Sequence, residues 1–487
     1  MQFRPRILFL VALVVVSLSI ANYVAFLRLK PEVSAAAWIA NKTGYQSHVV
    51  VLHQLAVARV RPEASDAYLP IYDVRNPGLF LLVAEWFVRA GATTPLPLEI
   101  LSIILFNVGA LCFFFWVYLL FNDLSVAAFG TAFLALSQFF LFFPGIIHTF
   151  PYEFVFSNIT LLLFVLFLKT GKTGYLVGAL IAMFMTCMNY WSYYLSLWII
   201  MVGLWWQYRG RPGIKGVAIL SAPPIAAAGL TAIMVMSLFG ARAGVLRIAD
   251  VLVARTFDAR IPGGAWFPDR RFMDTADWLE YPRHVMEKLE WAYGINRWFL
   301  IAAVCTFVLL WFRKKSAVVS TLILLAGGFS WYCVMFQHTH IHWFVGQYSF
   351  MAICTINGLI MSETAIVIWA AMRGTPINRR WAIASSEPGI ASGKHPTSLV
   401  NVAAAALLLV ANSLFAWPYL KTTYGMVRQT LLIADTVQAE YQKAVQDICR
   451  QHSDITLADL QFAARNWDFD WNAGLLADAN QMPKCSS

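Results

Sequence analysis

The sequence predicts an all-α, polytopic membrane protein. It reads as a bundle of about eleven transmembrane helices, with amphipathic surface helices in the first outer loop. Three observations lead there. The 487 residues are 59% hydrophobic and only 13% charged, with mean hydropathy +0.63, whereas a soluble domain carries about 25% charged residues. Apolar runs recur at lengths near the roughly 20 residues that a helix needs to cross a bilayer. Basic residues collect in alternate connections, as the positive-inside rule requires of a multi-pass chain. The net charge of +10 is therefore accounted for by loops and gives no reason to invoke nucleic acid.

The first element is Ile7–Leu27, preceded by the short basic stretch Met1–Arg6. Tyr23, Phe26 and Leu27 stand where a signal peptide would carry small residues for cleavage. An uncleaved first span with a cytoplasmic N-terminus is expected. Residues 30 to 96 are too polar to cross, yet Val49–Ala58 and Leu79–Val88 each read as an amphipathic helix on the membrane surface, the second carrying Glu85. Between them Asp66, Asp73 and Arg75 lie in a stretch broken by Pro70, Pro77 and Gly78.

Further spans are expected at about 98–121, 124–143, 153–168, 174–190, 191–207, 214–239, 296–312, 316–336, 345–371 and 398–417. The pair 174–207 needs a tight outer turn at Asn189, Tyr190, Ser192 and Tyr193. With the N-terminus inside, the inner connections hold fourteen lysines and arginines, among them Lys169, Arg209, Arg313 and Arg379. The short outer turns around 144–152, 190 and 337–344 hold none. Residues 240–295 form a long outer loop, basic at its start (Arg242, Arg247, Arg255, Arg260) and ending in an amphipathic helix over 277–293. The organisation is a transmembrane catalytic domain over 1–417 and a small extracytoplasmic helical tail over 418–487. Five of the seven cysteines lie in apolar runs; Cys449 and Cys485 lie in the tail and are expected to pair in an oxidising compartment.

The polar residues gather on the outer side. His338, His340 and His342 fall in the loop Met335–Tyr348; if that loop is extended, the three imidazoles share a face. His148, Tyr152 and Glu153 join the third and fourth spans, with Glu153 at the mouth of the latter. Arginine and histidine can hold a phosphate, and a carboxylate can serve as general base toward a hydroxyl or amine. Together with flat surface helices, this suits a substrate with an apolar tail and an anionic head. No Gly-x-x-x-x-Gly-Lys or strand-borne Gly-x-Gly-x-x-Gly is present, so the energy is expected to arrive with the substrate or from an ion gradient. The same residues admit plainer readings. Asp73 and Arg75 form a surface ion pair worth about 0–1 kcal/mol, or Glu153 caps a helix. Arg255, Arg260, Arg270 and Arg271 touch anionic lipid, or Trp343, Phe344 and Tyr348 form an interfacial belt. No cofactor is expected. The histidine triplet with a carboxylate is a possible divalent-metal set, although His-x-His-x-His in a loop is not a specific metal spacing.

Arg75-Asn-Pro-Gly-Leu-Phe-Leu-Leu82 resembles the His-Pro-Pro-Leu-type element of the GT-C class, the membrane glycosyltransferases that use polyprenyl-phosphate-linked sugars. Pro151-Tyr-Glu153 is similar to that class's second loop, which carries an acid at the head of the fourth span. Gln337–His342 with Tyr348 resembles a late His-rich loop of some bacterial members. The likeness in layout covers residues 1 to about 370 and is like that of the aminoarabinose transferases and protein mannosyltransferases. One departure is plain: where many members carry an adjacent acidic pair after the first span, this chain reads Lys30-Pro31-Glu32-Val33. The base is thus open among Asp66, Asp73 and Glu32.

The resemblance implies a GT-C-like bundle in a bacterial inner membrane, with its C-terminus periplasmic. It implies transfer of a sugar from a polyprenyl phosphate carrier, held in membrane lipid, to a glycan, lipid or protein acceptor. Asp73, Asp66 and Glu153 are the candidate catalytic acids. Arg75, His148, Tyr152, Arg255, Arg260, His338, His340, His342 and Tyr348 are the candidate substrate and phosphate ligands. A lipid-linked sugar flippase or other transporter, and an integral-membrane acyltransferase, are the alternatives.

Overall fold

The computed structural model describes residues 5–28, 79, 83, 86, 90, 96–144, 149–191, 193–257, 275–336, 339, 343–372 and 399–451. Among them 91% are helical and none is in a strand. In a bilayer every backbone N–H and C=O must be satisfied within the protein, and an apolar chain does this most simply as helices. The helices are α1 (Pro5–Arg28), α2 (Leu96–Phe121), α3 (Leu124–Leu136), α4 (Gln138–Phe142), α5 (Phe150–Thr170), α6 (Thr173–Cys187) and α7 (Tyr193–Arg209). They continue as α8 (Ile214–Phe239), α9 (Ala241–Phe257), α10 (Thr275–Tyr293), α11 (Arg297–Arg313), α12 (Lys315–Ser330), α13 (Phe350–Met372) and α14 (Leu399–Gln451), with a 3-10 turn at Trp343–Ser349 before α13.

The protein is a multi-pass helical membrane protein. Among the described residues, six helices are long and apolar enough to cross alone: α1, α2, α5, α8, α13 and the first half of α14; α10 and α11 make a seventh if counted as one bent span. The remaining expected spans appear as helices, but shorter ones. The span expected over 124–143 is broken at Ser137, whose hydroxyl donates to the Leu134 carbonyl and accepts from the Phe140 N–H, ending α3 and capping α4. α6 has 15 residues and α12 has 16, about 22–24 Å of rise against a hydrocarbon core of roughly 30 Å. The last expected span does not stop at 417. α14 runs unbroken through Pro418 to Gln451, so no turn marks the boundary drawn there. Ala241–Phe257, read as loop from sequence, is helical, and the amphipathic helix expected over 277–293 is α10.

Short connections make neighbours antiparallel, and capping groups close their ends. Asp123 accepts from the Ser125 and Val126 N–H groups at the start of α3. Asn296 does the same for Trp298 and Phe299 in α11. At the end of α5, Gly171 takes the left-handed conformation (φ 74°) and its N–H reaches the Phe167 carbonyl. The Arg209 guanidinium then crosses from α7 and donates to the Phe167 and Leu168 carbonyls at 2.7 and 3.2 Å. Carbonyls of a last turn run short of partners in their own helix; Phe167 has the Gly171 cap, and Arg209 adds to it and reaches Leu168.

The core is one continuous aromatic and aliphatic cluster. α13 runs through it; residues 350–360 are all buried. It lies against α3 with almost no side chain between. A Cβ on Gly130 would come within 2.9 Å of the Cys354 carbonyl oxygen, and one on Gly358 would collide with the Val126 carbonyl. Small residues permit this approach, which is how membrane helices gain packing without a hydrophobic drive. α1 is keyed to α2 by a reciprocal amide pair: Asn22 Nδ2 donates to Asn107 Oδ1 at 2.9 Å, and Asn107 Nδ2 donates to Asn22 Oδ1 at 2.7 Å. At one end of the bundle α10 turns 87° from α11, so it lies across that end. Its Val285, Leu289, Ala292 and Tyr293 face inward while Leu279 and Arg283 are exposed.

A leucine at Gly358 forces α3 and α13 apart and is expected to destabilise by about 1–3 kcal/mol or more, the overpacking scale. A leucine at Gly229, where a new Cβ meets nothing within 4 Å, is expected to be neutral. Thermal unfolding in detergent, read by size-exclusion of the soluble fraction, compares the two.

Candidate functional site

Four segments distant in sequence meet at the bundle end that α10 covers. They are the first turn of α5, the turn Met188–Trp191 leading into α7, the turn Trp331–Met335 after α12, and the 3-10 turn Trp343–Ser349. Tyr348 ties them together. Its ring lies 4.9 Å from Trp331, 5.9 Å from Tyr193, 6.2 Å from Phe150 and 6.2 Å from Tyr190, the last stacked at 10°. Tyr348 is only 2% exposed. Leu79, ahead of α2 in sequence, joins at this point: its N–H donates to the Met188 carbonyl at 3.2 Å. Leu79, Val83 and Trp86 are helical, in keeping with the surface helix expected there.

Hydrogen bonds set the height of the 3-10 turn. Tyr332 and Ser349 share a hydroxyl contact at 3.3 Å, and Ser349 donates back to the Gly346 carbonyl at 2.8 Å. The Tyr293 hydroxyl of α10 donates to the Gln347 carbonyl at 3.4 Å, and Tyr281 donates to the Tyr332 carbonyl at 2.6 Å. Gly346 lets the backbone of α10 come down onto the turn, because a Cβ there would meet the Lys288 carbonyl oxygen and Ala292.

Glu153 stands in the first turn of α5, after Pro151. It is wholly buried, and neither carboxyl oxygen has a hydrogen-bond partner. The Thr149 hydroxyl and the Tyr193 phenol are its polar neighbours. A helix N-terminus favours a carboxylate by about 0.3–1 kcal/mol, and by about 2 at most. Burying the charge costs several kcal/mol. The helix cap alone therefore does not account for this residue. Glu363 makes the contrast: equally buried in α13, it is paired with Arg313 and stands near Asp123 and Lys314 at the far end of the bundle. Two other groups near Tyr348 in sequence or through Tyr190 share the condition of Glu153. The Gln347 amide is 1% exposed with neither nitrogen nor oxygen partnered, and the Asn189 side-chain oxygen is buried without a donor.

Of the candidate site residues, Glu153, Tyr152, Tyr348 and Arg255 are described, and the first three are buried. Glu153 and Tyr348 meet in this cluster through Phe150 and Tyr193; Tyr152 adjoins Glu153 in α5. Arg255 lies on α9. Asp66, Asp73, Arg75, His148, Arg260, His338, His340 and His342 lie outside the described residues, as do Glu32 and Cys485. The extended backbone considered for the His stretch does not hold at its one described residue there. Thr339 is helical and buried, and its N–H and hydroxyl both reach the Met335 carbonyl, at 3.0 and 2.8 Å. Among the described residues no group of three or more His, Cys, Asp or Glu is placed to hold a metal ion.

Sequence reasoning noted the polar turn at Asn189–Tyr193 but gave it no part in the site. It passed over Gln347, Trp331, Tyr332 and Ser349 altogether. Their signal was polar and aromatic density at the ends of apolar runs, which also fits an interfacial belt. No protein-family model matches the chain, and no curated protein is detectably similar to it.

The two buried carboxylates are expected to respond in opposite ways. Glu153→Met removes an unpartnered polar group and is expected to leave stability unchanged or raise it. Arg313→Met strands Glu363 and is expected to cost about 3–5 kcal/mol. Unfolding midpoints in detergent measure both.

Proposed function

We propose that this protein is an integral-membrane glycosyltransferase that moves a sugar from a polyprenyl phosphate carrier to a glycan, lipid or protein acceptor. The single observation that carries the reading is Glu153: a wholly buried carboxyl with no ion-pair partner among the described residues and only the Thr149 hydroxyl and Tyr193 phenol for polar company, at the junction of four loops. Such a group is held ready for a ligand or a proton. It sits where the Pro151-Tyr-Glu153 likeness to the GT-C second loop calls for an acid. The surface segment at Leu79, which follows Arg75-Asn-Pro-Gly78, docks on the same cluster.

The reaction needs no nucleotide. The acceptor hydroxyl attacks the anomeric carbon, forming a new C–O bond. The bond from that carbon to the phosphate oxygen breaks, and the polyprenyl phosphate leaves with the electron pair. The acceptor proton passes to a carboxylate, for which Asp73 or Asp66 is the candidate, with Glu153 as a further acid. Fixed positive charge from Arg75 and the loop arginines or histidines is suited to the leaving phosphate, because it requires no reorganisation as charge develops. The flippase reading draws less support: the bend between α10 and α11 lies at the bundle end, whereas transporter sites sit at broken helices near the midplane.

In this reading the site faces the periplasm, and the basic end with Arg209, Arg313 and Lys314 faces the cytoplasm. A cysteine placed at Ser385, in a background without the native thiols, is expected to resist an impermeant thiol reagent on intact cells. Labelling there from outside overturns the layout.

Activity is tested as sugar transfer from a short-chain polyprenyl-phosphate donor in detergent, with carrier binding measured separately. Asp73→Asn is expected to lower turnover by about 10²-fold or more, the general-base scale, with carrier binding nearly intact. Arg75→Ala is expected to weaken carrier binding as well. Full transfer by Asp73→Asn, Asp66→Asn and Glu153→Gln alike removes the glycosyltransferase assignment.

A further inference from the structure

The side chain of Gln347 has no role in the reaction described so far. It lies in the 3-10 turn beside Tyr348, is 1% exposed, and its amide makes no hydrogen bond through nitrogen or oxygen. Its backbone is fixed by the Tyr293 hydroxyl, and the flanking Gly346 and Ser349 are fixed by α10 and Tyr332. Asn189 presents a second buried amide oxygen without a donor, although its nitrogen is satisfied by the Met185 carbonyl at 2.8 Å. Tyr190 next to it stacks on Tyr348, so the turns that carry the two amides are in contact.

Leaving a buried amide group unpaired is costly, because it has given up its bonds to water and gained none. A purely structural turn would do better with leucine or methionine at 347, which fit the volume and need no partner. The unpaired Gln347 amide, the Asn189 oxygen and the Glu153 carboxyl around one aromatic cluster therefore point to a ligand that completes them. An amide offers a donor and an acceptor side by side, which matches a hydroxyl group rather than a phosphate. The phosphate's natural partners, arginine and lysine, are not among these groups.

We infer that Gln347, with Asn189 on the neighbouring turn, positions the hydroxyl groups of the transferred sugar. This inference rests on the glycosyltransferase reading and deepens it: the amides recognise the glycosyl unit, not the lipid phosphate. A site built to bond a hydroxyl rejects the analogue that lacks it by a wide margin, since the buried polar group is then stranded.

The test separates binding from folding. Wild type, Gln347→Met and Gln347→Glu are purified in detergent. Their unfolding temperatures are measured alone, with farnesyl phosphate, and with farnesyl phosphates carrying glucose, mannose, galactose or arabinose. Wild type is expected to be stabilised more by at least one glycosylated probe than by farnesyl phosphate. Gln347→Met is expected to unfold at or above the wild-type temperature without ligand, to keep the farnesyl phosphate response, and to bind the preferred glycosylated probe at least tenfold more weakly. Gln347→Glu keeps the shape and one acceptor, and is expected to recover part of that loss.

Equal binding of the glycosylated probe by wild type and both variants overturns the role of Gln347 and leaves the glycosyltransferase reading standing. Lower unfolding temperatures for both variants without ligand assign Gln347 to structure and overturn the inference in the same way. If wild type distinguishes none of the glycosylated probes from farnesyl phosphate, the sugar role of Gln347 is overturned as well. If wild type also responds to no probe at all and transfers no sugar, the parent reading falls with it.

Discussion

A polar group inside an apolar bundle must find its partner within the protein, because neither lipid tails nor packed aromatics supply one. The structure meets this constraint at many points along the bundle. Arg209 serves the last carbonyls of α5, Tyr419 and Thr423 reach the carbonyls of Phe133 and Leu136, and Trp116 donates to Asn158. Even the buried Arg313 is matched by Glu363. Single hydroxyl or amide oxygens at Thr131, Thr306, Ser362 and Asn412 are also buried without a hydrogen bond; what distinguishes Glu153, Asn189 and Gln347 is that they cluster. They lie at one end of the bundle, on turns that share an aromatic cluster, where the described chain changes direction four times.

The same constraint shapes the helices. α13 can pass through the core because its threonine hydroxyls return to carbonyls of their own helix: Thr355 to Met351 and Thr364 to Ile360. Its glycine at 358 lets α3 approach without a polar atom between them. Ser137 uses its hydroxyl in the opposite sense. By capping α4 it ends α3 early and releases the chain toward the junction, so a local hydrogen bond decides how far a helix travels.

Much of the fold was legible in the sequence because it follows from hydropathy and length. The helical class, the first span, the amphipathic α10 and the acid in the first turn of α5 all read directly from apolar runs and their polar punctuation. Helix length was less legible. A run such as 316–336 stays apolar past Ser330, and only the turn Trp331–Met335 shows that the chain has left the helix there. Helix α9 was hidden by its arginines, which mask an apolar face carried by Val245, Leu252 and Val253. The site was half legible. Glu153 and Tyr348 drew attention as polar or aromatic residues at the ends of spans. Gln347 did not, because a glutamine near a membrane face is ordinary until its burial and lack of partners are known. Burial depends on α10 folding back across the end, a tertiary event no local pattern encodes.

The paired amides of Asn22 and Asn107 bear on how the protein is made. They are 85 residues apart, so at about 5–20 residues per second the ribosome adds the intervening chain in roughly 4–17 seconds. Throughout that interval Asn22 has no Asn107 to pair with, and lipid tails offer its amide nothing in exchange. The first helix therefore becomes a comfortable membrane segment only once the second is made, so its sequence is written for a neighbour that does not yet exist when it is synthesised.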